Sequence, residues 1–208
     1  MNSLTRPTIE FNKKPGGQLK YYGLWDWWID NFSKKERELI ILTFQPLGDS
    51  GNTLIEGEIY SSSGSAVSLL SSLAGWFMKE EQRTIAYKML EKAEELTGEA
   101  SVIDKHFLYQ SKIEIYYRFR DIDDFAMTKA IEGCEQQINI TQEVSEAFRK
   151  KYPEEILPSH VGYKQLAIIR DKDGNVADAI KLSKQALEQG WNGDWEKRIS
   201  RLNRKLIR

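Results

Sequence analysis

The chain carries one cysteine, Cys134, among its 208 residues. A lone cysteine excludes an intramolecular disulfide and a cysteine-based zinc cluster. It falls in a helical pattern between Gly133 and Glu135, where a small packing residue is expected and nothing positive is at hand to activate a thiol. Histidine is nearly as scarce. His106 and His160 are the only two, neither has a second ligand at helical spacing, and no metal site is expected from them. Long apolar runs are lacking too: the longest purely aliphatic run is Leu39 to Leu42, too short to span a bilayer. The first residues show no charged-then-apolar pattern of a secretory signal, so a cytoplasmic location is expected. Net charge is also absent, the formal total being −1, which gives no overall pull toward nucleic acid or membrane.

Motifs of catalysis are missing as well. The sequence holds no Gly-x-Ser-x-Gly, no dinucleotide-binding fingerprint and no His-Glu-x-x-His. Ser61 to Ser65 reads Ser-Ser-Ser-Gly-Ser and lacks the Gly-Lys-Ser/Thr ending of a phosphate loop, so it is expected to cap the following helix. Asp171 to Asn175 has its glycine fourth, and Leu182 stands twelfth where a calcium loop needs glutamate. The acids Asp121, Asp123 and Asp124 sit in an inter-helix turn. No catalytic residue, cofactor or metal is therefore expected, and the chain reads as a non-enzyme.

What is present is helix. Apolar residues are 40% and charged residues 29%, ordinary for a chain that buries a core. Charge is unevenly spread, with residues 1–20 at net +3, residues 194–208 at net +4 and the body between them at −8. Residues 1–20, with Pro7, Pro15, Gly16 and Gly17, are expected to form an extended arm. A dense aromatic cluster follows (Tyr21, Tyr22, Trp25, Trp27, Trp28, Phe32), and residues 21–63 read as an aromatic-rich helical cap and loop. Ser33 and Glu36 have capping-box spacing, and Pro46-Leu47-Gly48 should close the helix they open. Thr53 to Tyr60 is the one weak strand candidate. From residue 64 onward periodicity predicts helices near 65–78, 81–97, 102–119, 122–138, 142–151, 159–172, 175–189 and 193–206.

Three helix pairs share a register. Leu70, Leu73, Ala74 and Phe77 lead to Ala86, Leu90 and Ala93. Ile113 and Tyr117 lead to Ala126, Ala130 and Gly133, with Glu114 where a small residue should stand. Tyr163, Leu166 and Ala167 lead to Ala179 and Ala186, with Arg170 at the aromatic position. Small residues at such places let two helices cross closely. The turns Arg120 to Phe125 and Asp173 to Asp178 precede the alanines in like manner.

On these residues, 66–191 resembles a degenerate tetratricopeptide-repeat (TPR) array. Its marker moves from Ala74 to Glu114 to Ala167, wider than the family's ~34 residues. The resemblance implies an all-α fold of antiparallel helix pairs stacked in a right-handed superhelix. It also implies a concave groove that binds a protein or peptide, without catalysis. Residues 193–206, with Trp195, Ile199, Leu202 and Leu206 on one side, would then cap the array within a 64–208 domain.

If the register holds, the first helix of each pair lines the groove with Ser71 and Met78, with Ser111, Ile115 and Arg118, and with Lys164, Ile168 and Asp171. Arg118 and Lys164 would pair with an acidic segment. A second copy of the chain is another partner the sequence leaves open. The rival reading is a nucleic-acid-associated or regulatory protein using its basic ends, with Arg198, Arg201, Lys205 and Arg208 as a basic face. The balanced total charge makes nucleic acid the weaker of the two.

Overall fold

A computed structural model describes residues 14–46 and 52–207. Among them are eleven α-helices and no named strand: α1 (Gly17–Tyr21), α2 (Trp25–Asn31), α3 (Lys34–Thr43), α4 (Ala66–Ala74), α5 (Arg83–Glu95), α6 (Val102–Arg118), α7 (Ala126–Asn139), α8 (Thr141–Lys151), α9 (Val161–Lys172), α10 (Val176–Glu188) and α11 (Trp195–Leu206). The protein is all-α. None of these helices is long and apolar enough to cross a membrane.

Two sequence expectations change at the N-terminal side. The extended arm expected over 1–20 gives way to helix from Gly17, and Leu19 is fully buried; residues 1–13 lie outside the described residues. The weak strand at Thr53 to Tyr60 does not form. Asn52–Leu54 is a short 3-10 turn whose backbone lies against the start of α1. Gly17, at φ +59, donates its N–H to Gly57 O at 2.8 Å, and a Cβ there would meet Thr53 O at 2.5 Å. Only a glycine permits that approach. The aromatic cluster packs inward in part: Trp28 and Phe32 are buried and Trp25 and Trp27 half-buried.

α3 begins at the expected capping box, with Ser33 Oγ accepting from Glu36 N and Glu36 Oε2 accepting from Ser33 N. It ends at Thr43, before Pro46, whose companions Leu47 and Gly48 are not among the described residues. Lys88 of α5 ties the N-terminal helices to α5 by donating to Asn31 O and to Glu36. Ser65 caps α4, as expected, through a reciprocal bond with Ser68.

From α4 onward the chain runs as packed helix pairs, α4 with α5, α6 with α7 and α9 with α10, and α11 covers α10. The first helices also touch one another, α4 against α6 and α6 against α9. The small residues are where closeness demands them: Ala74, Ala86, Ala93, Ala126, Ala130, Ala167, Ala179 and Ala186 are all buried. α9 and α10 each end on a left-handed glycine, Gly174 and Gly190, both at φ +81. The following N–H groups return to the helix, Asn175 to Arg170 O and Trp191 to Ala186 O, satisfying carbonyls that a helix end leaves bare.

The second pair is shifted by one residue from the sequence register. A Cβ on Gly133 of α7 would meet Ile113 Cγ1 at 3.1 Å and Lys112 Cγ at 3.3 Å. The close crossing therefore falls at Lys112 and Ile113, not at exposed Glu114. Tyr116, and not half-buried Tyr117, is the inward aromatic, stacked on Tyr87 of α5 at 4.3 Å. Lys112 is buried and donates to Glu94 Oε1 at 2.6 Å and to Gln136 Oε1 at 3.1 Å. One cation thus links α5, α6 and α7. α7 also starts at Ala126, four residues after the expected start, leaving Ile122 and Phe125 exposed in the turn.

Candidate functional site

The first helices of the second and third pairs present a polar strip with two hollows. The larger, about 890 Å³, is bounded by the end of the α4–α5 connection, by α6 and by α9. Met78, Glu114, Tyr117, Arg118 and Gln165 line it. These α6 residues, at i, i+3 and i+4, share one helix side by period alone. Arg118 Nε donates to Met78 O at 2.8 Å, and Arg118 has no ion-pair partner among the described residues. Gln165 Nε2 is buried and meets no acceptor. An unmet amide donor of this kind is uncommon, because burying it without a partner costs ~1–3 kcal/mol.

The smaller hollow, about 510 Å³, lies between α9 and α11. Its lining includes Ile168, Asp171, Lys172, Lys197, Arg198 and Arg201. Tyr117 and Lys172 join the two hollows: the lysine donates to the phenol oxygen at 3.1 Å, and its ammonium lies 5.7 Å from the ring centroid. Arg120 covers the same ring at 4.2 Å. Asp171 accepts from Lys205 at 2.7 Å and from Arg201 at 3.4 Å.

These positions sort the expected groove residues. Met78 and Arg118 meet at the first hollow, and Ile168 and Asp171 line the second. Ser71 and Ile115 are buried and cannot face a groove: Ser71 Oγ donates within its own helix to Ser68 O, and Ile115 packs in the core. The one-residue shift of α6 explains Ile115, since the face assigned to it belongs to Glu114. Lys164 is exposed and Ser111 half-buried, and neither lines a hollow. Gln165, the neighbour of Lys164, lines the first hollow instead.

The basic face also departs from expectation. Arg198 is buried beside Trp195 and paired with Asp194, while Arg201 and Lys205 are held by Asp171. Arg208 lies outside the described residues. Among the described cations of α11 only Arg198 is buried; Lys197, Arg201, Arg204 and Lys205 are exposed, and Asp171 engages two of them.

The two histidines, 54 positions apart in sequence, meet in the interior. Their ring centroids are 5.2 Å apart, and Trp191 stacks on His106 at 5.6 Å and meets His160 edge-on at 4.7 Å. His160 caps α9 by accepting Tyr163 N–H at Nδ1, and Gln137 bridges His106 O to Gly162 N. Burial pushes His106 down to about 4 and His160 to about 3. Both rings are neutral, and no group of three or more metal-binding side chains occurs among the described residues. Burial likewise pushes the Cys134 thiol up to about 12, so it is a poor nucleophile. Comparison with known proteins finds no matching family model, no matching curated protein and no matching solved structure.

Proposed function

We propose that the chain is a non-enzymatic, TPR-like interaction module that binds an extended protein or peptide segment along the α6–α9 strip. The observation that carries this reading is the larger hollow, with Gln165 along its lining and Arg118, which has no ion-pair partner among the described residues, on its wall. A peptide supplies what Arg118 lacks. A carboxylate suits Arg118, and the polar Gln165 side chain lies along the same lining. The stacked pairs and the covering α11 support a superhelical scaffold in which such a strip is continuous.

The test is a selection of random peptides on the intact protein, followed by titration against Arg118→Glu and Gln165→Ala variants. Selected peptides should lose about tenfold or more in affinity, equivalent to ~1.4 kcal/mol, while the melting temperature holds. Peptides that bind both variants as they bind the parent would place the binding surface elsewhere.

A further inference from the structure

The second hollow contains an arginine with an unmet donor. Arg198 is 8% exposed, its Nε is buried, and no acceptor reaches that nitrogen among the described residues. Its one carboxylate partner is Asp194, a turn earlier, through Nη2 at 3.5 Å. Asp194 stands at the N-cap of α11 and its carbonyl accepts Arg198 N–H at 3.0 Å, yet its side chain caps none of the first-turn N–H groups. The positive end of a twelve-residue helix therefore lies uncapped along a hollow lined by Asp194, Lys197 and Arg198.

The charges of the hollow do not balance. Lys172, Lys197, Arg198 and Arg201 stand against Asp171 and Asp194, and four cations against two carboxylates leave +2. Both carboxylates are already engaged, Asp171 by Arg201 and Lys205 and Asp194 by Arg198. Lys172 reaches only the Tyr117 phenol, and Lys197 has no partner among the described residues.

We propose that this hollow binds a phosphate monoester. Such a group carries roughly −1.5 to −2 charge and three acceptor oxygens. One oxygen falls to the Arg198 guanidinium on the hollow's lining, and the others fall to Lys172, Lys197 and the open N–H groups at the start of α11. A single carboxylate brings half the charge and leaves the hollow in excess. Two sources share this chemistry, a free phosphate ester and a phosphorylated side chain of a segment lying in the adjoining groove. The second source rests on the groove reading above; the first does not.

The test uses the full chain at low ionic strength, titrated with phenyl phosphate, with a serine-phosphorylated peptide and with its glutamate counterpart, and followed by amide and arginine Nε resonances. Phenyl phosphate should shift Arg198 Nε–H and the amides of residues 195–198. The double variant Lys172→Gln/Lys197→Gln and the variant Arg198→Gln should each bind at least tenfold more weakly. Should Arg198→Gln fail to fold, the exposed lysine pair carries the comparison. A phosphopeptide binding at least tenfold tighter than phenyl phosphate assigns the peptide source, and equal affinity assigns the free ester. Absence of shifts at these residues, equal affinity for the glutamate peptide, or full binding by the lysine variant would each overturn the proposal. Phenyl phosphate needs no partner protein, so its failure leaves peptide binding at Arg118 and Gln165 standing, and the reverse holds.

Discussion

His106 and His160 enter the fold as neutral rings, and that sets how the protein answers acid. Their ordinary value is 6.5, and burial holds them at about 4 and about 3. Between pH 6.5 and these values the unfolded chain binds protons that the folded chain refuses. Stability is therefore full above pH 6.5 and falls as pH drops below it, by up to about 1.4 kcal/mol per pH unit for each histidine. Urea denaturation at pH 7.5, 6 and 5 should show the midpoint declining, and His106→Phe should lower the slope by about one proton. A midpoint constant from pH 7.5 to 5 would contradict the buried, neutral assignment. The sequence showed that the histidines lacked ligands at helical spacing. It could not show that they meet each other, because their contact comes from α9 packing against α6 and from Trp191 after α10, across more than 50 residues of chain.

At the scale of elements, two glycines separate space from conformation. Gly133 and Gly162 both lie in helices, where alanine is intrinsically favoured by about 1 kcal/mol. A Cβ at Gly133 meets the movable Ile113 side chain at 3.1 Å, whereas one at Gly162 meets Cys134 O, a backbone atom, at 3.0 Å and Gln137 Oε1 at 2.8 Å. Gly133→Ala should thus change stability by less than about 1 kcal/mol. Gly162→Ala should destabilise by roughly 1–3 kcal/mol, as overpacking does, with thermal melts as the measure. Equal effects would mean that α7 and α9 do not approach as closely as described. The alanine spacing made the first and third pairs legible in sequence. The second was misread by one residue because Lys112 occupies its crossing. A lysine does not look like a packing residue until Glu94 and Gln136 are seen to accept its hydrogen bonds. That single slip moved Ile115 to the groove and hid Tyr117, and it concealed the real α6 face.

For the whole molecule, the all-α class and the covering role of α11 were readable from periodicity. Trp195 and Leu202 are buried and Ile199 half-buried as the apolar stripe required, whereas Leu206 at its end is exposed. Which cations remain free was not readable, since Asp171 captures Arg201 and Lys205 only after α11 folds back on α9. The site is therefore legible in its helices and illegible in its charges. Cys134 adds a kinetic consequence. It is fully buried between Ile113 of α6 and Leu166 of α9, and no second thiol exists in the chain. A disulfide reagent can label it only when the second and third pairs part, so labelling serves as a clock for that parting. At pH 8 the native protein should react more slowly than the urea-unfolded chain by several orders of magnitude. A peptide spanning α6 and α9 should slow it further, in proportion to its occupancy. The molecule carries its own stopwatch at the joint that the proposed ligand would clamp.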